Sequence, residues 1–198
     1  MKPVFAALLV LLLAGCVTYG GVSSGRTEIG SGLSVDTTLV WSKRRAMMLI
    51  EDEIVRTNPQ LEIWTQYGTG LDQLVFYAGV EAGETLLRGR IGRDLPPFRN
   101  DMTPSEIVEL FETMLVRGAK ARELERREIT TARFGDRDGF RFRLSFAFDD
   151  DVDREMLVWA TVVDEKLYAI AWVATRLYYF EKTLPEVERI VTSAHISG

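Results

Sequence analysis

Residues Met156 to Thr175 read MLVWATVVDEKLYAIAWVAT, two apolar runs flanking the polar tripeptide Asp164-Glu165-Lys166. This pattern predicts a β-hairpin with a short turn. Neither face of the hairpin is polar. Leu157, Trp159 and Val163 alternate with Met156, Val158 and Val162, and in the second run Leu167, Ala169 and Val173 alternate with Tyr168, Ile170 and Trp172. A strand with one wet face alternates apolar with polar, whereas a strand apolar on both faces needs cover on both. The hairpin is therefore expected at the centre of a sheet, with further elements packed above and below it.

Upstream, Phe140 to Phe148 (FRFRLSFAF) alternates cleanly. Its phenylalanines and Leu144 face inward, and Arg141, Arg143 and Ser145 face out. One polar face places this strand near the rim of the sheet, and the two arginines read as a solvated or ion-paired face rather than an anion site. Glu125 to Ala132 reads as a further strand and Phe134 to Gly139 as a turn. Leu61 to Thr65, Leu74 to Ala78 and Leu33 to Trp41 are also β-rich, the last placing Leu33, Val35, Thr37, Leu39 and Trp41 on one face. Ala46 to Val55 fits a strand or a short helix equally.

Two stretches carry helix-start signals. Thr103-Pro104-Ser105-Glu106 is a capping box with proline in the first turn, followed by the stripe Ile107, Leu110, Phe111, Met114 and Leu115. Thr183-Leu184-Pro185-Glu186 repeats that logic within Tyr178 to Ala194, where Phe180, Leu184, Val187, Val191 and Ala194 share a face. Strands joined by hairpins with one helix for each face give an α+β fold, an antiparallel-rich central sheet in an α/β/α sandwich. At 198 residues the chain suits one sizeable core, and 33–198 is expected to form it as a single domain.

The first sixteen residues, MKPVFAALLVLLLAGC, have a positive start at Lys2 and an apolar run from Val4 to Leu13. That is the layout of a signal peptide, and the run is too short for a permanent spanning helix. It ends in Leu13-Ala14-Gly15-Cys16, which resembles a bacterial lipobox. The resemblance implies lipidation of Cys16, cleavage after Gly15 and an envelope protein held on the membrane through its acyl chains. Val17 follows the cysteine where an aspartate is associated with inner-membrane retention, so the outer membrane, facing the periplasm, is the expected location. Val17 to Gly32 is rich in Gly and Ser and reads as a flexible tether with a reach of about 20 Å.

Chemistry-bearing motifs are sparse. Cys16 is the only cysteine, so no internal disulfide forms. The net charge of -5 argues against a nucleic-acid partner. Gly68-Thr69-Gly70 is followed by Gln73 where a dinucleotide fingerprint needs glycine, and Gly89-x-x-Gly92 lacks the Gly-Lys-Ser/Thr of a phosphate loop. Asp149 to Asp153 fails the EF-hand pattern, with Arg154 and Ala160 at the sixth and twelfth positions. Lys43-Arg44-Arg45 reads as a solvated turn balanced by Glu51, Asp52 and Glu53. Ser193 and His195 lie two apart at a helix end with no third group to orient the imidazole; His195 is expected to meet the last helix carbonyls. No metal ligand set and no cofactor site is predicted.

From Phe134 onward the pattern is similar to the fold of PsbP, Mog1 and DcrB-like proteins. The features that carry it are Gly135, Gly139-Phe140-Arg141-Phe142, Lys166 to Ile170, Tyr179-Phe180 and Ser193 to Ile196. The resemblance implies an accessory or binding protein, not an enzyme, and assigns no ligand residue. The leading expectation is a lipid-anchored lipoprotein that binds or helps assemble an envelope protein partner. Behind it stands a small-molecule or lipid-binding module with Trp41, Trp64, Tyr67 or Tyr178 lining a cleft. A hydrolase working through carboxylates alone comes third.

Overall fold

The computed structural model describes residues 19–30, 32–44, 60–127 and 129–197. The signal-segment readings, Cys16 and Ala46–Val55 lie outside the described residues, as do the acids expected to balance the basic trio. Among the described residues the strands are β1 (Tyr19–Val22), β2 (Gly25–Ile29), β3 (Leu33–Thr37), β4 (Trp41–Arg44), β5 (Leu61–Thr65), β6 (Asp72–Val80), β7 (Arg122–Arg126), β8 (Thr130–Phe134), β9 (Arg137–Ala147), β10 (Arg154–Val163), β11 (Lys166–Thr175) and β12 (His195–Ile196). The two helices are α1 (Pro104–Thr113) and α2 (Tyr179–Ser193), with a single helical turn at Gly89–Gly92.

The strands form a nine-stranded sheet in the order β1-β4-β5-β6-β11-β10-β9-β7, with β8 also on β9, and a three-stranded sheet β12-β3-β2. Every pairing is antiparallel. The hairpin β10–β11 sits in the middle, as its two apolar faces require. Its turn is two residues, Asp164 and Glu165, both at positive φ, and Val163 pairs with Lys166. Two left-handed residues make a turn whose twist matches that of the strands.

Alternation along the hairpin divides the core in two. Met156, Val158, Ala160, Leu167 and Ala169 share a cluster with Ile107, Leu110 and Phe111 of α1. Leu157, Trp159, Ile170 and Trp172 share the other with Phe180, Val187 and Ile190 of α2, and with Ile29, Leu33 and Ile196 of the small sheet. Helix α1 starts as expected: Thr103 and Glu106 close a reciprocal capping box, with Thr103 N donating to Glu106 Oε2 at 2.8 Å.

Five expectations are corrected. The tether gives way, from Tyr19, to strands β1 and β2, because Val22 and Ile29 bury fully enough to hold glycine-rich backbone in sheet. Leu33–Trp41 is not one strand: β3 ends at Thr37 in the small sheet, β4 begins at Trp41 in the large one, and Leu39 between them is exposed. Glu125–Ala132 is likewise split between β7 and β8, both paired to β9. Helix α2 begins at Tyr179 and carries Pro185 inside it. Its expected capping box fails because the helix starts four residues before Thr183, which is therefore inside it, and the Glu186 carboxylate instead binds Thr37 and Thr38. His195 belongs to β12 opposite Ser34 rather than capping the helix, and Ser193 Oγ bridges to the Asp36 backbone.

Candidate functional site

A helix rises about 1.5 Å per residue and a strand about 3.3 Å. At 10 residues each, α1 is therefore about 15 Å long and the hairpin strands about 33 Å. Helix α1 packs over Phe142 of β9 and Tyr77 of β6 and is too short to cover this whole face of the sheet. It continues as a π-helical turn, Met114–Gly118, and Lys120 at positive φ redirects the chain into β7. Beyond the helix a cleft of about 400 Å³ remains, floored by Ile63, Val75, Tyr77, Phe146 and Met156 and walled by Met114 and Leu115. Residues of α2 and of the three-stranded sheet pack together in the second apolar cluster.

Polar groups around the cleft are mostly committed. At the rim, Arg154 donates to both carboxylate oxygens of Asp150, at 2.9 and 2.7 Å, and lies 4.9 Å from the Phe148 ring centroid. Those Arg154 hydrogen bonds hold the Asp150 carboxyl down at about 2. Asp72 organises the β5–β6 loop, accepting from Thr65 Oγ1 (2.6 Å), Gln66 N (2.9 Å) and Tyr67 N (2.8 Å). Gln73 Nε2 donates to Thr69 O at 2.6 Å. Inside, the Tyr77 hydroxyl donates to Met114 Sδ at 3.4 Å, and burial pushes its pKa up. It stays a neutral donor bonded to sulfur, a weak acceptor.

The four aromatics singled out from the sequence do not converge there. Trp41 and Trp64 are fully buried in the α2-side cluster, with ring centroids 6.0 Å apart and Trp41 edge-on to Trp172 at 6.3 Å. Their indole N–H groups are satisfied by Thr37 and Glu62, so both are core residues. Tyr67 and Tyr178 are exposed and meet around Tyr179, with centroids 4.9 and 5.1 Å away, while Lys182 Nζ lies 4.6 and 4.7 Å from the Tyr67 and Tyr178 rings. The residues that do line the cleft were read from sequence as ordinary core. What could have exposed them is the mismatch between a five-residue helix stripe and a two-strand face.

The charged motifs resolve into ion pairs. Arg143 meets Glu155 at 2.7 Å and lies over the Phe180 ring; Lys43 meets Glu62 at 2.5 Å. Asp149, Asp150 and Asp153 pair with Arg122, Arg154 and Arg176. Among the described residues no group of His, Cys, Asp and Glu is arranged to hold a metal ion, and no helix is long and apolar enough to cross a membrane.

This mostly antiparallel sheet with two helices is a PsbP-like fold. The solution structure of cyanobacterial PsbP (CyanoP) from Synechocystis sp. PCC 6803 matches with a TM-score of 0.55 at 13% identity, covering 93% of this chain and 96% of that one. A crystal structure from Bacteroides thetaiotaomicron VPI-5482 matches with a TM-score of 0.50 at 8% identity, over 89% of this chain and 50% of that one. LpqN of Mycobacterium tuberculosis, involved in cell envelope biogenesis, gives 0.43 at 11% identity over 91% and 92%. No protein-family model and no curated protein sequence matches the chain. Likeness at these identities speaks to fold alone.

Proposed function

We propose that the chain is a lipid-anchored bacterial envelope lipoprotein acting as a non-enzymatic binding protein, and that the cleft beside Met114–Gly118 takes a ligand with an apolar body. The observation that carries this reading is the cleft. Its volume of about 400 Å³ falls within the range of small-molecule pockets, and so does its character, an apolar lining with few convergent polar groups. The Tyr77 hydroxyl supplies a buried donor, and a ligand carbonyl, ether or hydroxyl oxygen is a better acceptor than the Met114 sulfur it now meets. Asp72, the carboxylate in the lining, is already held by three donors, which favours binding over catalysis. The small-molecule reading thus moves ahead of assembly with an envelope protein partner.

Support for the anchor is the lipobox-like Leu13-Ala14-Gly15-Cys16, with Val17 favouring the outer membrane and a domain facing the periplasm. The finer architecture we infer is an α/β/α sandwich, supported by the division of α1 and α2 between the two apolar clusters.

The test is a titration of N-phenyl-1-naphthylamine, an uncharged fluorescent reporter, into the chain beginning at Val17. Saturable binding is expected. Ala119 is an exposed residue at the cleft, so Ala119→Phe should fill the mouth without disturbing the core and weaken binding about tenfold. Non-saturable binding, or equal affinity in the variant, overturns the reading. Tyr77→Phe should leave this reporter unchanged yet weaken a competing long-chain alcohol by roughly threefold to tenfold, the value of one hydrogen bond.

A further inference from the structure

Covalent reach limits where an anchored form of this domain can sit. Strand β1 begins at Tyr19, three residues after Cys16, and three residue steps span at most about 11 Å. Four-residue β1 adds about 10 Å more. Cys16 is therefore never farther than about 20 Å from Val22, at the other end of the strand. A tether of two residues does not hold a domain clear of the bilayer.

The surface near that strand has the composition of a membrane interface. β1 is an edge, followed in order by β4, β5, β6 and β11. At one end of these neighbours the pairings Val22↔Trp41, Ser42↔Thr65 and Asp72↔Ala174 bring three loops together. Gln66 Nε2 donates to Val40 O at 2.8 Å and Thr175 N to Leu71 O at 3.0 Å. These loops present Leu39, Val40, Tyr67, Leu71, Leu177 and Tyr178 to solvent, with Leu177 97% and Val40 67% exposed. Lys182 sits among the tyrosines, whose contact holds its pKa above the ordinary lysine value. Tyrosine and lysine beside bare aliphatic side chains suit the boundary between headgroups and acyl chains. The acidic loop 149–153 borders this surface at the same end of the sheet, where Arg176 N donates to Asp153 O at 3.0 Å, and its Asp149, Asp150 and Asp153 carboxylates are paired with Arg122, Arg154 and Arg176. A net charge of -5 leaves apolar insertion rather than polybasic attraction as the driving force.

We infer that the Leu39–Val40, Tyr67–Leu71 and Leu177–Tyr178 loops form a membrane-contact surface, which lays the domain against the bilayer that carries its own acyl anchor. This rests on the lipidation of Cys16 proposed above. Val40 and Leu177 enter the interface, and Lys182 stays at phosphate level.

The test uses the full lipidated protein, whose Cys16 sulfur is blocked, so that one introduced cysteine takes an environment-sensitive NBD label. Val40→Cys and Leu177→Cys are compared with Val162→Cys, an exposed position near the opposite end of β10. The proteins are reconstituted into vesicles of phosphatidylethanolamine and phosphatidylglycerol. Blue-shifted emission is expected at positions 40 and 177, with quenching by shallow nitroxide lipids at least about twofold stronger than at 162. Failure to float with the vesicles overturns the anchor, and this inference with it. Flotation with equal quenching at all three sites overturns the contact surface alone. A blue shift without lipid quenching that grows with protein density overturns it in favour of a second copy of the chain.

Discussion

Gly135→Ala is expected to lower the free energy of unfolding by about 3 kcal/mol or more, one of the largest effects of a single methyl group in this protein. Gly135 is in the β8–β9 turn at φ +58, and its N–H donates to Val191 O at the end of α2, at 3.0 Å. A Cβ on this residue would lie 1.7 Å from Ala194 O and 2.7 Å from its carbonyl carbon. Both are backbone atoms, so no side chain can step aside; either the turn or the end of α2 must move. Moving the helix end also disturbs Ala194 and Ile196, which are buried beside it. Gly83→Ala separates clash from backbone strain. Gly83 is at φ +90, and a methyl group on it would have nothing within 4 Å, so it should lose only about 1–2 kcal/mol. Urea midpoints followed by circular dichroism measure both. Equal losses would mean that the α2 end yields freely and that the turn does not fix the helix to the sheet.

Local signals carried much of the fold into the sequence. The hairpin was legible because neither of its faces is polar, the lone Thr161 of the first run being buried. Helix α1 was legible because Thr103, Pro104 and Glu106 act within one turn of each other. The failures come from groups that act over distance. Leu33 to Trp41 keeps an uninterrupted period of two, yet the chain changes sheets after Thr37 because Glu186, 149 residues on, binds Thr37 and Thr38. Thr183 and Glu186 keep the spacing of a capping box, but the helix starts at Tyr179 and puts both residues inside it. Glycine in β1 and β2 imitates a linker in composition, and only the partners β4 and β3 turn it into sheet.

The cleft was hidden for a related reason. Periodicity reports that a face is apolar and needs cover; it does not report whether the cover is long enough. Phe146 and Met156 look the same in sequence whether a helix or a ligand fills the space above them. Trp41 and Trp64 misled in the opposite direction, because large aromatics suit a pocket and a core equally. Burial at 1% and 0% decides for the core.

Glu186→Gln is expected to cost about 2 kcal/mol at neutral pH and to remove part of the acid sensitivity of folding. Glu186 is 3% exposed. It accepts from Thr37 Oγ1 (2.8 Å), Thr38 N (2.6 Å) and Thr38 Oγ1 (2.7 Å), and Arg189 closes on Oε2 at 3.0 and 2.5 Å. Burial pushes the carboxyl up, and these hydrogen bonds outweigh it, holding the group down at about 2. The unfolded chain binds that proton near the ordinary value of 4.5. Between the two values the unfolded state takes up more protons than the native one, so stability falls as pH drops through that window. Above about 4.5 the contribution is fully present, and below about 2 it is gone. Glutamine keeps the shape but presents an amide N–H₂ to Thr38 or Arg189, both donors in the present network. The difference in unfolding free energy between wild type and variant, from urea titrations across pH 2 to 7, should shrink from about 2 kcal/mol towards zero as pH falls from 4.5 to 2. A difference that stays constant across that range would mean that the β3–β4 connection is held by packing of Trp41 and not by the charge of Glu186.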